Sequence, residues 1–200
     1  AAMEFMDGRA AEAIEAYNQP GDPAGAAAIL IIDADGVEAD VTHAIARVTA
    51  IVAESGGKTV EATDEKQRTR IWSGRKAAFA AMGRLAPDMI CMDGTIPRHA
   101  LPQVLDEMAV LSEQYGLGFC NVFHAGDGNL HPLIIFDVMK EGEFERAEAF
   151  GADILRLCVK VGGVLSGEHG VGIEKRDLMT EMFSEADLDQ QHRVKCAFDA

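Results

Sequence analysis

The 200 residues carry 18 basic against 33 acidic side chains, a formal charge of -15 that repels a phosphate backbone and excludes nucleic acid as a partner. At 48% hydrophobic and 6% aromatic, the chain can bury an ordinary core as one domain or two small ones. Cys91, Cys120, Cys158 and Cys196 stand 29 or 38 residues apart with no C-x-x-C pair, which fits isolated thiols in a reducing compartment rather than zinc or iron-sulfur ligation.

No run approaches the roughly 18 apolar residues of a membrane helix. The start, AAMEFMDGRAAEAIEAY, is acidic and unlike a signal peptide. The expectation is a cytoplasmic protein, membrane-associated only through partner subunits.

The first 17 residues read as helix, and the turn-rich NQPGDPAGA after them reads as a linker. Ala28 to Asp33, AILIID, is a short apolar strand closed by Asp35-Gly36. Asp40 then opens a helix with Val41, Ile45, Val48 and Val52 on one face, ended by Gly56 and Gly57. A weak strand, Lys58 to Ala62, precedes a second helix from about Asp64, in which Ile71, Arg75, Phe79 and Met82 share a face.

Met89 to Met92 repeats the strand pattern, and Pro102 starts a helix with Val104, Met108 and Leu111 in register, stopped by Gly116. Strands Gly118 to His124 and His131 to Phe136 flank the turn AGDGNL. Phe144, Ala147, Gly151, Ile154, Cys158 and Val161 mark the next helix, and the glycine-rich GGVLSGEHGVGIEKRDLM follows. Strands alternating with amphipathic helices, including a direct strand-turn-strand connection, predict an α+β fold: a ferredoxin-like antiparallel sheet with helices on one face and two related halves.

The glycine-rich segments fail as nucleotide loops. Gly162 and Gly167 have the phosphate-loop spacing, but Glu168 and His169 stand where lysine and a hydroxyl are needed, and no G-x-G-x-x-G follows a strand. His124 and His131 are a different matter. Glycines between them forbid a helix, so the segment reads as a hairpin with the two histidines at roughly facing positions.

Facing Cβ atoms lie about 5 Å apart, which lets both imidazoles reach one metal. By itself the pair is better explained as polar strand ends on a tight turn. SGEHGVG adds a carboxylate, Glu168, beside His169, and two His plus one Glu with an open position is the arrangement of catalytic zinc sites. That set would also suit a stand-alone metal hydrolase. Arg75 reads either as a snorkelling arginine or as a bidentate clamp for a substrate carboxylate. Arg98, Lys175 and Arg176 read as solvated charges.

Together, WSGRKAAFAAMGRLAPD, CMDGTIPRHALP, HAGDGNLHP and GGVLSGEHGVGIEKRDLM resemble the C-terminal cap domain of FAD-linked oxidases of the vanillyl-alcohol oxidase superfamily, nearest to the glycolate oxidase and D-lactate dehydrogenase type. The resemblance spans nearly the whole chain, so residues 1-200 read as one cap domain whose N-terminal FAD-binding module lies elsewhere. It implies metal ligands at His124, His131 and Glu168, a catalytic base at His169 and a carboxylate-binding arginine at Arg75. The implied reaction oxidises a 2-hydroxy acid to a 2-oxo acid with FAD as acceptor and a divalent metal, Zn or Mn, beside the hydroxyl.

Relatives that oxidise 2-hydroxyglutarate carry asparagine at the position of Leu133 and lysine at that of Cys91. Their absence favours a small substrate such as glycolate or lactate. The resemblance further implies an iron-sulfur electron-transfer subunit as partner and leaves homo-oligomerisation open. Because the chain stops at KCAFDA, before the segment that returns to the flavin module, no tight FAD binding or turnover is expected of it alone. The competing expectation is a non-catalytic binding or assembly module that keeps the fold.

Overall fold

The computed structural model describes residues 1–199. Five strands form one antiparallel sheet in the order β2-β1-β5-β7-β3, where β1 is Ala2–Asp7, β2 Ala28–Asp33, β3 Asp88–Cys91, β5 Gly118–Phe123 and β7 Pro132–Phe136. A second ribbon pairs β4, Gly94–Thr95, with β6, Asn129–Leu130. The helices are α1 (Gly8–Asn18), α2 (Glu38–Glu54), α3 (Glu65–Met82), α4 (Leu101–Tyr115), α5 (Glu143–Lys160) and α6 (Glu185–Phe198), with short 3-10 turns at Arg98–Ala100 and Arg176–Glu181.

The α+β class is as expected, but helices cover both faces of the sheet rather than one. Alternation along the strands explains why. On β1, Phe5 stacks on Phe123 at 4.7 Å within the cluster built on α4 and α5, while Met6 packs with Ala10, Ala13 and Ile14 of α1 and Ala78, Ala81 and Met82 of α3. On β7, Ile134 and Phe136 join the first cluster and Leu133 the second, so PLIIF is buried at every position. A sheet apolar on both faces needs a helix layer on each.

The opening residues are strand, not continuous helix. AMEFMD is zipped between β2 and β5, and the Asp7 carboxylate caps α1 by accepting from Ala10 N at 2.8 Å. Alanines and Gly74 let α1 and α3 approach closely, and the buried face of α3 is Gly74, Ala78, Ala81 and Met82, leaving Phe79 41% exposed. The expected strand at Lys58 to Ala62 is irregular chain.

The short ribbon positions the site. Thr95 pairs with Asn129 on one side and with Val164 on the other. The segments CMDG, HAGDGNLH and GGVLSGEHG are therefore drawn to one end of the sheet.

Candidate active site

His124 closes β5 and bridges to Asn129, which continues the β5–β7 register. That register sets Val122, not His124, opposite His131. The two histidines are thus diagonal neighbours on one face rather than facing residues, with ring centroids 5.1 Å apart and planes at 84°. Diagonal positions remain within reach for long side chains. The intervening turn needs its glycine: Gly128 has φ +73°, and a Cβ there would collide with the Ile96 carbonyl.

Glu168 and His169 arrive on the glycine-rich loop after α5, and Asp93 holds that loop. Asp93 is fully buried and accepts from the Ser166 hydroxyl at 2.7 Å, from the backbone N–H groups of Gly167, Glu168 and His169 at 3.2, 3.1 and 2.8 Å, and from Lys175 Nζ at 3.0 Å. Burial alone would raise its pKa. The Ser166 hydroxyl, the His169 N–H and the Lys175 ammonium outweigh burial and hold the carboxyl well below its ordinary value. Lys175, expected on the surface, is 2% exposed, because it supplies the positive charge a buried carboxylate needs. Arg98 and Arg176 are solvated as expected.

Around this anchor the side chains converge. Glu168 Oε1 lies 3.0 Å from His131 Nε2, 3.8 Å from His124 Nε2 and 3.7 Å from His169 Nε2. The His169 ring stacks on His131 with centroids 5.0 Å apart. His131 is buried; its desolvation lowers its pKa, against the pull of the Met92 carbonyl and Glu168, and keeps the ring neutral.

Tautomers then decide what faces Glu168. His124 Nδ1 lies 2.8 Å from Glu4 Oε1, a carboxylate that can only accept, so Nδ1–H donates and Nε2 carries a lone pair. His131 Nδ1 lies 3.4 Å from the Met92 carbonyl and Nε2 3.0 Å from Glu168 Oε1, so the ring can donate on either side, and a proton on Nδ1 would free Nε2 for a cation. The two Nε2 atoms and a Glu168 carboxylate oxygen lie within 4.8 Å of one another, and positive charge placed among them would be stabilised by all three. The donor set fits a divalent cation, and Glu4 would orient the His124 ring as carboxylates behind metal-bound histidines do.

Cys91 Sγ, His131 and His169 form a second triple of the same size. Burial pushes the Cys91 thiol up to about 12, which keeps it protonated and makes this the poorer set.

Arg75 is brought to the same place by Glu4. Its Nε donates to Glu4 Oε2 at 2.9 Å, and among the described residues no hydrogen bond engages its two terminal nitrogens. Strand register explains the bridge: Phe5 pairs with Phe123, so Glu4 falls opposite His124. The structure thus gathers His124, His131, Glu168 and His169, and joins Arg75 to them through one carboxylate. Glu4, Asp93 and Lys175 were not singled out from sequence as site residues. A glutamate between apolar neighbours in AMEFMD, 6% exposed, was the available signal for the first, and reading that stretch as helix hid it.

Comparison with known proteins agrees with the sequence resemblance. The family described as FAD linked oxidases, C-terminal domain, matches residues 1–200. The chain is 52% identical over 198 residues to the glycolate oxidase subunit GlcD of Escherichia coli, covering 98% of this chain and 40% of that protein. It is 32% identical over 200 residues to GlcD of Bacillus subtilis, covering 43% of it, and 28% identical over 202 residues to a D-lactate dehydrogenase of Archaeoglobus fulgidus, again covering 43%. Among solved structures, 4-ethylphenol oxidase from Gulosibacter chungangensis superposes with a TM-score of 0.63 at 12% identity, over 100% of this chain and 45% of that one, a likeness of fold alone. The chain spans less than half the length of these relatives, and within that span it belongs to the family of FAD-linked oxidase C-terminal domains.

Proposed function

We propose that this domain forms the substrate side of a flavin-dependent 2-hydroxy-acid oxidoreductase, converting glycolate or D-lactate to the 2-oxo acid. The observation that carries the reading is the convergence of His124 Nε2, His131 Nε2 and Glu168 Oε1, with the unengaged end of Arg75 tied to the same cluster by Glu4. A carboxylate and a neighbouring hydroxyl are the two groups such an array would hold.

Arg75 offers its terminal nitrogens to the substrate carboxylate as a planar fork. His124, His131 and Glu168 would hold a divalent cation, Zn or Mn. When bound, that cation supplies positive charge beside the substrate hydroxyl, and FAD, held by an N-terminal module, supplies the acceptor for two electrons and the Cα hydrogen. His169, 44% exposed and, among the described residues, hydrogen-bonded through its backbone N–H to Asp93 with its ring left free of hydrogen bonds, takes the hydroxyl proton on its ring. Removal of that proton and of the Cα hydrogen with its electron pair leaves the C=O of the 2-oxo acid.

Substrate size follows from what is absent around the array. Neither Leu133, fully buried, nor Cys91, a protonated thiol, offers a partner to a second carboxylate, which favours a small monocarboxylate. No helix among the described residues is long and apolar enough to cross a membrane, and electron transfer onward would go to a partner iron-sulfur subunit.

Metal analysis of the full-length protein tests the ligand set. Wild type should retain close to one equivalent of zinc or manganese per chain (about one, the number a single three-ligand site holds), and His124→Ala and Glu168→Ala should lose it. Equal retention by all three would refute the set.

A further inference from the structure

Glu4 is the most deeply set acidic group in the cluster after Asp93, at 6% exposure, and both its oxygens are committed. Oε1 accepts from His124 Nδ1 at 2.8 Å and Oε2 from Arg75 Nε at 2.9 Å. We propose that Glu4 is a positioning residue that couples His124 and Arg75: it fixes His124 in the Nδ1–H tautomer and holds the Arg75 guanidinium by its Nε, leaving the two terminal nitrogens for a substrate carboxylate. The proposal rests on the oxidoreductase reading for its consequence, but not for its chemistry.

The geometry supports both halves. Glu4 sits opposite His124 across the β1–β5 pair, on rigid backbone at the end of the sheet, so its carboxylate has little freedom to follow either partner. An ionised carboxylate cannot donate. The proton it receives from His124 must therefore be on Nδ1, and Nε2 is left as the atom that faces Glu168. Its second oxygen occupies Arg75 Nε, which removes the side-on mode of carboxylate binding and leaves the end-on pair. One carboxylate thereby ties the position of an arginine fork to that of an imidazole.

Glu4→Gln separates this role from a merely structural one, because it keeps size and shape. The glutamine oxygen still accepts from Arg75 Nε, but its NH2 donates to His124 Nδ1 and drives the ring proton onto Nε2. In metal-free full-length protein labelled with 15N-histidine, the His124 signals, identified by their loss in His124→Ala, should report Nδ1–H in wild type and in Glu4→Asp, and Nε2–H in Glu4→Gln. Zinc affinity measured by titration calorimetry should fall on the order of 10- to 100-fold in Glu4→Gln. An unchanged tautomer in Glu4→Gln would overturn the proposal. If the tautomer switches but even wild type binds no zinc, the positioning role stands and the cation reading fails.

Discussion

His169, Arg75 and Asp93 show three ways in which a single side chain matters here. Exchange of His169 for alanine removes the proposed proton acceptor and should lower kcat by about 10²–10⁴-fold with little change in KM, measurable by steady-state oxidation of glycolate. Arg75→Lys keeps the charge but loses the planar fork, so KM should rise more than kcat falls. Asp93→Asn leaves the Lys175 ammonium buried without a counter-charge and should cost about 3–5 kcal/mol in denaturant unfolding. The sign of its pH dependence follows from the direction of its shift. A carboxyl held below 3.8 in the fold contributes stability that is complete above that value and is lost as pH falls below it, so Asp93→Asn should abolish part of the wild-type acid destabilisation.

At the scale of elements, the turn geometry and the glycine-rich loop carry the site. A Cβ on Gly167 would collide with Asn129 Oδ1 and Thr95 Oγ1, both buried, so Gly167→Ala should displace the loop that presents Glu168 and weaken zinc binding while leaving the thermal transition of the core largely in place. Phe150, fully buried against Tyr115 and Phe119, should instead cost about 3–5 kcal/mol as alanine without altering metal affinity. The sequence showed α4, α5 and the hairpin strands because apolar spacing within each settles its type. It did not show β1, because Ala- and Glu-rich residues run on from AMEFMD into α1, and the strand exists through pairing with β2 and β5 far along the chain. The candidate ligands were legible as two short motifs. Their support was not, since Glu4 and Asp93 acquire partners only once distant segments meet.

For the whole molecule, the sheet sandwiched between α1/α3 and α4/α5 makes a rigid base, and the cluster lies at one end of it with Glu168 52% and His169 44% exposed. An open site of this kind suits a surface that a second module covers, in line with a chain that spans 40% of the E. coli subunit it resembles. The proposed lack of a partner for a second carboxylate predicts discrimination at this scale too: glycolate and D-lactate should be oxidised, and 2-hydroxyglutarate poorly, by the full-length protein. The most direct measurement is anaerobic reduction of the bound flavin, followed by its visible absorbance on adding glycolate or D-lactate before and after treatment with a chelator. The account predicts bleaching that is lost on chelation and restored by zinc or manganese; bleaching indifferent to chelation, or none with either acid, would contradict it.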